Sequence, residues 1–175
     1  MSSTTGDPGT GPDHDDGSEL PQPPSALERK AIIDRSRTVA VVGASANRSR
    51  ASYFVMTYLI GVTDMAVHPV NPREDEILDR RCVGSLSELG FAPDLVDVFR
   101  RPEDCPAVAE EAVAVGAKAL WLQLGIVSDE AARIAHRAGL DVVMDRCLKI
   151  EHARFAGGLH LAGFDTGVID SRRRR

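Results

Sequence analysis

Residues 38–53 read TVAVVGASANRSRASY, and the rest of the chain is arranged around them. Val39 to Gly43 carries no charge and is largely β-branched, the signature of a short strand buried on both faces. The strand ends on the glycine. A polar loop with Arg48 and Arg50 and the serines Ser45, Ser49 and Ser52 follows, and an apolar periodic segment begins directly after it. Strand, glycine, polar loop and helix start is the layout of a phosphate-binding first βα turn. The first N–H groups of such a helix are unpaired and its dipole is positive there, so the turn favours an anion. The expected ligand is a nucleotide-like cofactor held by its phosphates.

A length of 175 residues suits one domain, and a hydrophobic content of 43% suits an ordinary core. The net charge of −5 offers no general attraction to nucleic acid or to an acidic membrane surface, so neither is an expected partner. No apolar run approaches the roughly 20 residues of a membrane helix. The first residues have neither a basic n-region nor an apolar h-region, so no secretory signal is expected. Cys82, Cys105 and Cys147 are odd in number and widely spaced. They form neither a disulfide framework nor a metal-ligand pattern, and a reducing cytoplasm is the expected compartment.

Working outward, residues 1–24 are rich in Gly, Pro, Ser, Thr and Asp and are expected to form a disordered tail. The run Asp13 to Asp16 within it reads as solvated acid rather than as a metal site. Ser25 to Ser36 reads as a helix with a capping box of Ser25 and Glu28. The first strand leads to a helix over Ser52 to Ile60, with Phe54, Val55, Tyr58 and Leu59 as its stripe, Ser52 as a candidate N-cap and Gly61 as its stop. A strand over Met65 to Val70 stops at Asn71-Pro72. Residues 74–81 read as a charged loop, and 85–89 as one helical turn. Then follow a strand over Leu95 to Phe99, a helix over Glu103 to Val115 and a strand over Lys118 to Leu122. A helix capped by Ser128 over Asp129 to Ala138, a strand over Leu140 to Met144 and a short helical stretch to Phe155 complete the body. Residues 156–175 are Gly-rich, end in four arginines and are expected to be partly flexible, with Leu159, Leu161 and Phe164 able to dock on the body.

Strands alternating with helices imply an α/β class: a Rossmann-like, doubly wound, five-stranded parallel sheet with helices on both faces, spanning residues 25–155. In such a fold the ligand sits beyond the carboxyl ends of the strands. The residues expected there are Gly43-Ala44-Ser45, Asn71-Pro72-Arg73, Phe99-Arg100-Arg101, Gln123-Leu124-Gly125 and Asp145-Arg146-Cys147. This rim is polar and mostly cationic, as a phosphorylated ligand requires. An NAD site would show two further glycines after Gly43 and an acid closing the second strand. Neither is present before Glu74. Arg48, Arg50 and Arg73 favour an adenosine carrying an extra ribose phosphate, which leaves NADP and coenzyme A.

Six segments in order carry a resemblance: Val41 to Ser45, Arg50 to Tyr53, Pro69 to Pro72, Asp97 to Arg101, Trp121 to Gly125 and Met144 to His152. Together they resemble the small single-domain CoA-binding proteins, which are similar to the CoA-binding Rossmann domain of the succinyl-CoA synthetase alpha subunit. The resemblance spans Thr38 to Phe155. It implies CoA with its phosphates at the turn from Gly43 to Ser52 and its adenine near Asn71-Pro72 and Phe99-Arg100. Ala51 stands where the family often has proline, which loosens the loop without removing a ligand group.

The candidate phosphate clamp is therefore Gly43, Ala44, Ser45, Asn47, Arg48, Arg50, Ser52 and Tyr53. Asn71, Pro72, Phe99 and Arg100 are candidates for the adenine, and Gln123 and Gly125 for the pantetheine path. Cys147 stands near Glu151 and His152, but residues so close on one helical segment seldom orient a thiolate against an imidazole. An inert thiol is expected, with a mixed disulfide to CoA as a weaker idea. No catalytic or metal site is expected. The function expected is binding of coenzyme A or an acyl-CoA, without chemistry of its own. The alternatives are an NADP-dependent reductase and an accessory subunit of an acyl-CoA ligase system.

Overall fold

The computed structural model describes residues 20–156. Most of the expected N-terminal tail and the C-terminal extension after Ala156 lie outside the described residues, as do Asp13 to Asp16, the apolar residues expected to dock and the terminal arginines.

The first helix, α1 (Ala26–Arg35), starts on the capping box: the Ser25 hydroxyl accepts from the Glu28 N–H, and the Glu28 carboxylate accepts from the Ser25 N–H. Strand β1 (Thr38–Val42), helix α2 (Ala51–Val62) and strand β2 (Ala66–Val70) follow. Two-residue strands β3 (Glu76–Ile77) and β4 (Arg80–Arg81) come next, then β5 (Leu95–Val98), α3 (Cys105–Ala114), β6 (Ala119–Leu122), α4 (Asp129–Arg137), β7 (Asp141–Val143) and α5 (Leu148–Ala156). Single 3-10 turns stand at Leu86–Leu89 and Pro102–Asp104.

Three expectations are corrected. Gly61 does not stop α2; it sits exposed within the helix, and Thr63 caps the end through its N–H and hydroxyl, both on the Leu59 carbonyl. Ser52 is not the N-cap, because the helix begins one residue earlier and Arg50 occupies that position. The charged segment 74–81 is an antiparallel hairpin of β3 and β4, turned by Leu78 and Asp79 at φ 52° and 57°. Its anchor is Ile77, 1% exposed, followed by Leu78; two adjacent apolar residues give no alternation that would register as a strand in sequence.

The main sheet is parallel throughout, in the order β2-β1-β5-β6-β7. Alternate residues of each strand feed opposite cores. Val39, Val41, Leu95 and Trp121 pack with α1, α2 and α5, while Ala40, Val42, Val96 and Leu120 pack with α3 and α4. The chain moves outward from β1 to β2 and then returns to place β5 on the other side of β1. Strand order thus reverses between β1 and β5, where two loops diverge and open a crevice at the carboxyl ends.

Buried polar ties hold the layers. Arg29 of α1 pairs with Glu151 of α5 at 2.8 Å, both buried, and Arg154 adds a contact to the same carboxylate at 3.2 Å. At the amino ends of the strands, Asp94 accepts from Lys118 at 2.7 Å and from the N–H groups of Arg37 and Thr38. The Lys118 ammonium and these N–H groups hold its carboxyl well below the usual range.

Candidate functional site

A cleft of about 730 Å³ lies at the carboxyl ends of β1, β5 and β6. Its floor begins at Gly43, whose φ of +83° turns the chain out of β1. A Cβ there would lie 2.6 Å from the Phe99 carbonyl oxygen, so only glycine lets the two loops come this close. The Phe99 N–H donates to the Val42 carbonyl beside Gly43 at 2.8 Å, and the Gly43 N–H fastens the turn on its other side to the Val70 carbonyl of β2 at 3.0 Å.

The loop after Gly43 is shaped by its own side chains. The Ser45 hydroxyl accepts from the Asn47 N–H, and Asn47 Oδ1 accepts from the N–H and hydroxyl of Ser49. Asn71 at the end of β2 ties this loop to its neighbour: its Nδ2 donates to the Ala44 carbonyl at 2.7 Å, and its Oδ1 accepts from the Arg73 N–H at 3.0 Å. The α2 N-terminus then faces the cleft without a side-chain cap. Neither the N–H groups of Ala51 and Ser52 nor the Ser52 hydroxyl has a partner among the described residues, although Ser52 is only 3% exposed. Arg50 and Arg73 line the same end, and neither makes an ion pair among the described residues. Unpaired donors, a positive helix end and two guanidinium groups give this end of the cleft the chemistry that suits an anion.

The opposite wall comes from β5 and β6. Phe99, Arg100, Arg101 and Pro102 form one side, with both arginines turned onto Asp104. Gln123 and Leu124 follow β6. Behind Gln123 lies Asp97, fully buried on β5; Gln123 Nε2 donates to its Oδ1 at 2.6 Å. Asp97 Oδ2 is sealed and without a hydrogen-bond partner among the described residues. Burial pushes this carboxyl up to about 7, with only the Gln123 bond opposing it.

Cys147, leading into α5, also borders the cleft. Burial pushes its thiol up, and the Asp97 charge adds to the shift, against N–H groups of Ile150 and Lys149. The other members of the sequence triad face elsewhere: Glu151 pairs with Arg29, and His152 Nδ1 shares a hydrogen bond with the Tyr58 hydroxyl at 3.0 Å.

Of the residues expected from sequence, Gly43, Ala44, Ser45, Arg50 and Ser52 are brought together on the cleft, as are Asn71, Phe99, Arg100 and Gln123. Asn47 and Arg48 are exposed and stand off it; Tyr53, Pro72 and Gly125 also lie outside its lining. Gly125 instead serves a turn, at φ +85° with its N–H on Asp145 Oδ1. The first acid after the end of β2 in sequence is Glu74. Glu74 reaches the cleft and its Oε1 accepts from the Ala46 N–H at 3.3 Å. Sequence reading also missed Asp97; its one signal is a charged residue inside the otherwise apolar run Leu95 to Phe99.

A parallel sheet whose order reverses at a glycine-floored crevice lined by arginines defines a Rossmann-like domain. More particularly, residues 37–153 match the CoA binding domain family, and the chain belongs to it. It is 41% identical to the Bacillus subtilis protein YneT over 132 residues, covering 75% of this chain and 97% of that one. A solved hypothetical protein from Pyrococcus horikoshii superposes with a TM-score of 0.73 at 34% identity, covering 79% of this chain and 99% of that one. A dinucleotide-forming acetyl-coenzyme A synthetase from Ca. Korarchaeum cryptofilum shares the fold, with a TM-score of 0.57 at 23% identity over 62% of this chain and 26% of that one. Among the described residues no helix is long and apolar enough to cross a membrane.

Proposed function

We propose that the protein binds coenzyme A, free or acylated, in the cleft between β1 and β5, with residues 25–155 as the binding unit. The observation that carries this reading is the α2 N-terminus. Two unpartnered N–H groups, the Ser52 hydroxyl and the guanidinium groups of Arg50 and Arg73 converge there in a chain of the CoA binding domain family. The pyrophosphate lies over this helix end, and the arginines hold the phosphate charges. Phe99 and Arg100 flank the adenine, and the pantetheine arm runs along Gln123 toward Cys147.

The protein acts as a carrier or sensor of CoA rather than as a catalyst. Support comes from a cleft lining without histidine and from a Cys147 thiol that burial keeps protonated. Three unpaired cysteines suit a reducing compartment, the cytoplasm being the simplest. The test is calorimetric titration with CoA, dephospho-CoA, acetyl-CoA, NADP and NAD. Saturable binding of CoA, weakened when the 3′-phosphate is missing, is expected. Preference for NADP or NAD over CoA would overturn the reading.

A further inference from the structure

The anion end of the cleft recognises phosphates, which many cofactors share. Selection for one of them has to come from the part of the cleft that meets the rest of the ligand, and Gln123 is the polar side chain that β6 places there. An amide is ambiguous, because one end donates and the other accepts. Here the ambiguity is resolved from behind. Gln123 Nε2 is committed to Asp97 Oδ1 at 2.6 Å. Gln123 Oε1 has no protein partner, yet Asp97 Oδ2 is the only sealed, unpartnered side-chain polar atom among the described residues. Oε1 therefore opens to the cleft.

Asp97 makes a costly support. It is fully buried, with one oxygen unsatisfied, in a strand whose neighbours Val96 and Val98 are apolar. Such a carboxyl destabilises the fold, so its presence calls for a role other than stability. Replacing it with an apolar residue would leave Gln123 free to turn either end outward. The titratable group facing it is Cys147, from the start of α5, and this thiol lacks a charge to compensate it.

We propose that Asp97 is a specificity-determining positioning residue: by accepting from Gln123 Nε2 it turns Gln123 Oε1 into the cleft, where it accepts an amide N–H of the ligand's pantetheine arm. This rests on the CoA reading above. It adds that the cleft distinguishes a ligand with secondary amides beyond its phosphates from one with phosphates alone.

The experiment compares CoA with adenosine 3′,5′-bisphosphate, which keeps the adenosine and the 3′-phosphate but has no pantetheine arm. Calorimetry is run on the parent and on Asp97→Leu, Asp97→Asn, Gln123→Leu and the Asp97→Leu/Gln123→Leu double variant, each checked by thermal melting. Asp97→Leu is expected to weaken CoA about tenfold and leave the bisphosphate within about twofold. Asp97→Asn keeps an acceptor for Nε2 and should restore CoA binding. Gln123→Leu should match Asp97→Leu, and the double variant should be no worse than either, since one residue acts through the other. Equal weakening of both ligands, a further loss in the double variant, or no rescue by asparagine would overturn the assignment. If Asp97→Leu fails to fold, Gln123→Leu decides: unchanged discrimination between the two ligands refutes it. A parent that binds CoA but not the bisphosphate refutes the phosphate-turn reading instead, and one that binds neither removes both.

Discussion

The carbonyl oxygen of Phe99 lies 2.6 Å from the point that a Cβ on Gly43 would occupy. The two residues follow adjacent parallel strands at the place where strand order reverses, so this contact sets how narrowly the crevice opens. A methyl group cannot be accommodated by a side-chain shift, because the obstacle is backbone. Gly43→Ala is expected to lower stability by about 2–4 kcal/mol, combining the clash with the positive φ. It should also abolish the thermal shift produced by CoA. Urea unfolding and a melting series with CoA check this; a variant of parental stability would show that the loops part without cost.

Arg50 and Arg48 are two residues apart, yet only Arg50 lines the cleft. Arg50→Ala should weaken CoA about tenfold and reduce the salt dependence of binding, while Arg48→Ala should change affinity by less than about twofold. Titrations at two ionic strengths separate the pair. Equal losses would mean that only the general charge of the loop matters.

Asp97 carries a pH signature. Its folded value of about 7 stands above the roughly 3.9 of an unfolded aspartate, so the folded chain holds this proton more tightly. The contribution is fully present below about pH 4, is lost as pH rises through about 7, and is constant above that. Asp97→Asn should therefore be more stable than the parent at pH 8, by on the order of 4 kcal/mol at most. The gap should close as pH falls from 7 toward 4. Denaturant unfolding at several pH values measures it, and a gap independent of pH would remove Asp97 as the source.

Glu151 lies 1% exposed between Arg29 and Arg154. Removing its carboxylate takes away the partner of Arg29 Nε, while Arg29 Nη1 keeps the Pro24 carbonyl, and loosens α1 from α5. Glu151→Ala should cost about 3–5 kcal/mol, whereas an apolar pair, Glu151→Leu with Arg29→Leu, should recover most of it. A single-variant loss below about 1 kcal/mol in equilibrium unfolding would show that the pair is dispensable.

Much of the fold was legible because its signals are local. The apolar run ending at Gly43, the Ser25 and Glu28 capping box and the Ser128 cap each depend on residues within one turn or one strand. The hairpin at 76–81 escaped notice because its only apolar residues, Ile77 and Leu78, are adjacent and show no alternation. Gly61 misled because the roughly 1 kcal/mol that a glycine costs inside a helix is outweighed by the burial of Met56 and Leu59 just before it.

The site was legible as a set of strand ends, and less so as a set of side chains. Ser52 read as a cap, but a register starting one residue earlier turned its hydroxyl to the cleft. Asn47, Arg48, Pro72 and Gly125 sit beside lining residues in sequence but are not among the residues that line the cleft.

By itself, then, the sequence determined the alternation of strands and helices, the glycine at the first turn and the cationic character of the strand ends. These follow from residue chemistry over a few positions. Tertiary structure alone decided that Gly43 meets Phe99, that Glu74 enters the cleft and that Asp97 stands behind Gln123. Those relationships join residues from separate elements, and strand order and parallel register, not composition, bring them together.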